Sequence, residues 1–183
     1  SSPKDPTKPK KKKLELSLNR VELVNNRFRM VNHKYTFPRK GVNFADLYVT
    51  DFSGVLDKIK LDSITSARIN KLTLKEKSGF EVKEISTNAS YSNKEMRFED
   101  LLIKTNNSTL RDFLVFQYDD IKDFSSFITA VNVEANLKDS YVDSKDIEFF
   151  APSMEQVQFT TAIKNADLHG TVSDIIARNV DLS

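Results

Sequence analysis

The chain reads as an all-β protein: mainly one elongated, curved sheet, with two short helices. Three observations predict this. First, residues 67–118 form a string of short alternating segments: Leu72 and Leu74, Phe80 and Val82, then Thr87, Ala89 and Tyr91. Met96 and Phe98, Leu101 and Ile103, and Leu114, Phe116 and Tyr118 continue the series. Alternation of this kind gives each strand one apolar side and one wet side. Second, turn words separate the segments: Lys77-Ser78-Gly79, Ser92-Asn93-Lys94 and Thr105-Asn106-Asn107-Ser108. Third, the apolar set changes parity within strands, from Ile69 to Leu72, Val82 to Ile85 and Phe98 to Leu101. A one-residue slip turns the wrong side inward, so bulges must restore the register, and bulges coil a sheet.

The elements follow in order. Residues 1–13 (SSPKDPTKPKKKK) hold three Pro, six Lys and no large apolar side chain, so they form a disordered basic linker. A solvated tether is the plain interpretation; an arm for anionic lipid headgroups is the sharper one. Structure is expected over 14–183. Leu14, Leu16, Leu18, Val21 and Leu23 make a strand, Asn25-Asn26 suits a hairpin turn, and Phe28 and Met30 return the chain. Residues 34–41 are a loop. A strand over 42–50 and a pair of short strands over 52–61 lead into the alternating stretch. About a dozen strands at ~4.8 Å spacing would extend ~60 Å.

Two places are helical. Residues 120–128 begin with acids and carry Phe124, Phe127 and Ile128 at helical spacing; acids favour a helix N-terminus. Residues 144–149 follow Asp143, with Ser144 as N-cap and Pro152 just beyond the end. Alternation resumes at 131–137 and continues through the tail.

The totals exclude several classes. Net charge is +2, with no basic and aromatic face, so nucleic acid is not indicated. There is no Cys, hence no disulfide and no thiol chemistry. No apolar run approaches the ~20 residues of a membrane helix. His33 and His169 stand alone, and no zinc spacing exists. Asp119, Asp120 and Asp123 lack the spacing and glycine of a calcium loop and fit an acidic first helical turn. No nucleophile motif and no phosphate loop occurs. Asn88, Asn106 and Asn107 each open an Asn-X-Ser/Thr triplet and are taken as turn residues. No enzyme, cofactor or metal is expected. A closed β-sandwich would use the same alternation. The parity switches, the scarcity of helices to cover a face, and the even spread of aromatics favour an open groove.

The segments ARINKLTLKEKSGFEVKEI, MRFEDLLIKTNNSTL, VDSKDIEFFAP and GTVSDIIARNVDLS together resemble the TamB branch of the AsmA-like family, in its Bacteroidota form. The resemblance covers most of 14–183. It implies a β-taco, or repeating β-groove, within a longer periplasmic protein anchored in the inner membrane. Such proteins are bridge-like carriers of phospholipid, working with an Omp85-type outer-membrane barrel. The chain would then be one block of a longer array. The family supplies no catalytic residues. It implies that the groove is lined by Leu72, Leu74, Phe80, Val82, Ala89, Tyr91, Met96, Phe98, Leu101, Ile103, Leu114, Phe116 and Tyr118. Phospholipid acyl chains are the expected occupants. An alternative is a scaffold that receives unfolded outer-membrane strands by edge pairing.

Overall fold

The computed structural model describes residues 15–31 and 40–182. Linker 1–13 and His33 lie outside the described residues. Nine strands form one antiparallel sheet in sequence order. They are β1 (Leu16–Val31), β2 (Asp46–Leu61), β3 (Thr65–Glu76), β4 (Glu81–Tyr91), β5 (Glu95–Lys104), β6 (Thr109–Gln117), β7 (Asn132–Asp143), β8 (Thr160–Thr171) and β9 (Asp174–Leu182). The all-β, open, curved sheet with two short helices is therefore present. Among the described residues no helix is long and apolar enough to cross a membrane.

Several sequence expectations need correction. The strand expected over 42–50 begins only at Asp46, because 42–45 form a turn closed by Asn43. Asn25 is not a hairpin turn. β1 runs unbroken for 16 residues, and Asn25 sits within it at φ 51° as a bulge. Likewise β2 is one strand of 16 residues, bulged at Asp51 and Lys58. Reading bulges as turns inflated the strand count from nine to about a dozen. Asn tolerates the left-handed region in both settings, so the residue type alone does not separate them.

The parity switches are bulges, as expected. The pairing shifts between Ile69 and Leu72, and again between Leu72 and Leu74, whose partners are Ile85 and Val82. Another shift lies between Phe98 and Leu101. Lys71 and Asp100 take positive φ there, at 51° and 50°. A bulge leaves backbone groups without ladder partners, and hydroxyls satisfy them. Ser53 Oγ accepts from Asn25 N at 2.9 Å, Ser86 Oγ from Lys71 N at 3.3 Å, and Ser140 Oγ from Arg111 N at 2.9 Å. Thr87, fully buried, donates to the Glu99 carbonyl at 2.8 Å. The serine and threonine side chains thus hold the bends that curve the sheet.

The helices are short. A 3-10 turn (Ile121–Ser126) leads into α1 (Phe127–Ala130), and α2 covers Ser144–Ile147. The acids at the first are caps: Asp120 accepts from Lys122 N, and Asp123 accepts from the amides of Asp119 and Asp120. Asp143, rather than Ser144, caps α2, accepting from Lys145 N at 2.9 Å. Ser144 instead accepts from Phe159 N, closing the base of the 144–159 connection. Asn88 is within β4, not in a turn, and donates to Asp100.

Candidate functional site

The strand register brings eleven of the thirteen alternating residues onto one face. Leu72 and Leu74 lie opposite Ile85 and Val82; Ile85 lies opposite Ile103. Ala89 pairs with Phe98 and Tyr91 with Met96. Phe98 in turn pairs with Leu114, and Met96 with Phe116. Leu101 joins them only because the bulge at Asp100 restores its parity. Phe80 and Tyr118 stand at strand ends, in ring contact with the residues that cover the face. Leu72, Val82, Leu101 and Tyr118 are buried; Tyr91 is exposed; the others are half-buried. The alternate positions Lys75 and Lys83 are exposed, and Arg97 and Lys104 are half-exposed. The face continues through Val133 and Ala135 of β7 and Leu168 of β8. In the other direction it reaches Val21, Leu23, Phe28 and Met30 of β1 through their β2 partners.

The cover on this face comes from three connections. Segment 118–131 enters from one end of the strands, and segments 40–45 and 144–159 enter from the other. They meet through aromatic rings. Phe127 stacks on Phe44 with centroids 4.7 Å apart, lies 5.4 Å from Phe116, and reaches Phe150 at 6.5 Å. Phe150 stands edge-on to Phe80 at 4.9 Å, and Phe124 edge-on to Tyr118 at 5.1 Å. Such pairs add to the plain burial of apolar area. Phe149 and Phe150 are absent from the expected lining because they sit on a connection, outside any alternating run; Phe44, expected on a strand over 42–50, precedes β2 and turns onto the cover instead. Their signal in the sequence is compositional: two long connections rich in Phe cannot stay in solvent.

Polar groups pin the cover. Asp146 of α2, 6% exposed, accepts from Asn107 N at 3.0 Å, from Asn107 Nδ2 at 2.9 Å and from the Thr105 hydroxyl. Burial pushes its carboxyl up, yet the bonds from Thr105, Asn107 and Ser108 outweigh burial and hold it below the ordinary value. This ties segment 144–159 to the β5–β6 turn. At the other end Tyr118 donates to the Ser92 carbonyl at 2.7 Å, and burial pushes its phenol up to about 12.

The opposite face is charged. Arg97 pairs with Glu95 at 2.8 Å and lies over the Phe113 ring at 5.2 Å. The Glu95 bond, with Glu99 and Glu134 nearby, raises its guanidinium. Val115, between Phe113 and Gln117 on this face, is fully buried. Long charged side chains shield apolar atoms with their stems. His169 is an exposed strand residue paired with Glu134 and Ile176. Among the described residues no three His, Asp or Glu side chains gather as a metal site.

Both outer strands are open. Among the described residues β1 and β9 each pair on one side only. Phe28 is 50% exposed and Met30 38% on β1; every residue of β9 is exposed. No family model, curated protein or solved structure matches the chain.

Proposed function

We propose that this chain is a non-enzymatic segment of a TamB/AsmA-like periplasmic bridge, and that its apolar face holds phospholipid acyl chains passing between the two membranes. One observation carries this: the apolar face extends beyond its aromatic cover, onto β1, where Phe28 and Met30 stand exposed on the same side as the buried core. Apolar area left in water costs about 25 cal/mol per Å2, so an acyl chain lying there is favoured. No covalent chemistry is needed. The Omp85-type barrel partner and the periplasmic location belong to this proposal through the family resemblance.

The open β1 edge favours a second reading, a scaffold that receives a strand by pairing. Native mass spectrometry of the purified protein separates the two. Co-purifying phospholipid supports the first. Empty protein that captures a barrel-strand peptide supports the second, and neither adduct sinks both.

A further inference from the structure

One end of the sheet carries a polar cavity. A cavity of about 670 Å3 opens between residues 40–46, the 77–78 turn and residues 145–155. Its wall includes Phe149, whose ring stands 5.5 Å from Phe80, so the cavity adjoins the cover of the apolar face. Its backbone is set closely: Val42 N donates to the Phe149 carbonyl at 2.7 Å, and a Cβ on Gly41 (φ 82°) would lie 2.5 Å from that oxygen.

The lining charges are balanced, with three lysines and three acids. Four of them are already paired, Lys40 with Glu155 and Lys77 with Asp46. Lys145 and Glu148 also line the cavity, and neither forms an ion pair with any described residue. Ser78 adds a buried hydroxyl with no hydrogen-bond partner among the described residues; its amide is taken by Glu76 at 2.8 Å. Among the described lining residues, one cation, one anion and one hydroxyl without partners suit a ligand that itself carries both signs. An anionic headgroup would leave Glu148 facing like charge.

We propose that this cavity seats a zwitterionic phosphoamine headgroup, its phosphate toward Lys145 and Ser78 and its ammonium toward Glu148, while the attached tails run onto the apolar face. The inference rests on the acyl-chain reading and adds headgroup selection to it.

Short-chain lipids test it. Dihexanoyl phosphatidylethanolamine is titrated into the full chain by calorimetry, beside dihexanoyl phosphatidylglycerol, glycerophosphoethanolamine and inorganic phosphate. The ethanolamine lipid is expected to bind at least about tenfold tighter than the glycerol lipid, which corresponds to about 1.4 kcal/mol. Glu148→Gln should erase most of that preference without weakening the glycerol lipid or shifting the thermal midpoint, whereas Ser78→Ala, at the hydroxyl that faces the phosphate common to both lipids, should weaken both and leave their ratio unchanged. Equal binding of the two lipids, or a preference untouched by Glu148→Gln, overturns the headgroup site and leaves the acyl-chain reading standing. Binding of neither lipid overturns both. If tail-free glycerophosphoethanolamine binds as tightly as the lipid, the cavity stands and its ligand is a free phosphoamine. Phosphate binding as tightly as either overturns the zwitterion requirement.

Discussion

Strands β4–β8 and strands β1–β3 share one sheet and one alternating pattern, yet their apolar faces end in different states. Over β5–β8 the face meets connections long enough to fold back, 118–131 and 144–159, and these deliver Phe124, Phe127 and Phe150 onto it. A second cluster, Ala135, Leu137, Ile163 and Ala166, is buried between the strands themselves. Over β1–β3 the connection 62–64 is too short to return, and the described part of the longer β1–β2 connection, 40–45, turns toward Phe127; no described segment overlies Val21, Leu23, Phe28 and Met30 of β1. Alternation decides which side is apolar. Where the long connections fold back decides whether that side becomes a core or stays a surface.

The largest test of this contrast is Phe127→Ala. Phe127 is 8% exposed and touches Phe44, Phe116, Phe124 and Phe150. Removing it leaves a cavity at the meeting point of all three covering segments. A loss of about 3–5 kcal/mol is expected in urea unfolding. A loss under about 1 kcal/mol would mean that the cover is not the centre of stability.

The pin at Asp146 comes next. Asp146→Ala strands the Thr105 hydroxyl and the Asn107 amide, at a cost of about 2–4 kcal/mol. Its pH dependence has a definite sign. The folded carboxyl titrates below the unfolded value of 3.8, so its contribution is complete above that value and lost as pH falls through the folded one. The thermal midpoint of the unaltered chain should therefore fall more steeply below about pH 4 than that of Asp146→Asn. Parallel curves would remove Asp146 as the pin.

How much of this was legible beforehand follows from the same contrast. The eleven face residues were readable because period-two alternation is local, and even the parity switch at Asp100 was visible as an apolar slip from Phe98 to Leu101. Asn25 was misread because a bulge and a hairpin ask the same of one residue, a left-handed backbone; only the pairing of Phe28 with Val49 decides between them. The aromatic cover was hidden because contacts such as Phe44 with Phe127 join segments far apart in the chain, which no local pattern records. The charged cavity was hidden for the same reason.

Opposite sides of one strand give a smaller effect. Phe98 pairs with Ala89 and Leu114 and stands edge-on to Phe116 at 6.0 Å, at the border of the cover. Phe98→Asp should cost about 2–3 kcal/mol, since the half-buried site leaves the carboxylate partly hydrated. Alternation alone would put Arg97 on the wet side, where Arg97→Asp should be silent. The structure corrects this: the change removes the Glu95 pair and the contact over Phe113, and puts an acid beside Glu99 and Glu134. About 1 kcal/mol is expected, shrinking with added salt. Equal costs at the two positions would mean that the sheet is not one-sided.

The smallest stability effect should belong to the uncovered half, and there it should be paired with the largest change in binding. Phe28 is 50% exposed on β1, opposite Val49, and outside the aromatic cluster. It keeps about half of its accessible surface in the folded chain, so Phe28→Ala should cost only about 1 kcal/mol. If acyl chains lie on this face, the same ring is in place to contact them, and the Ala variant should retain less phospholipid in native mass spectra at an unchanged thermal midpoint. Phe127→Ala supplies the opposite pattern, a large loss of stability at a ring already satisfied by its neighbours. A Phe28→Ala protein that keeps its full lipid load would move the occupied surface away from β1. A variant that also unfolds several degrees earlier would show that Phe28 belongs to a core, and the division between covered and uncovered halves would have to be redrawn.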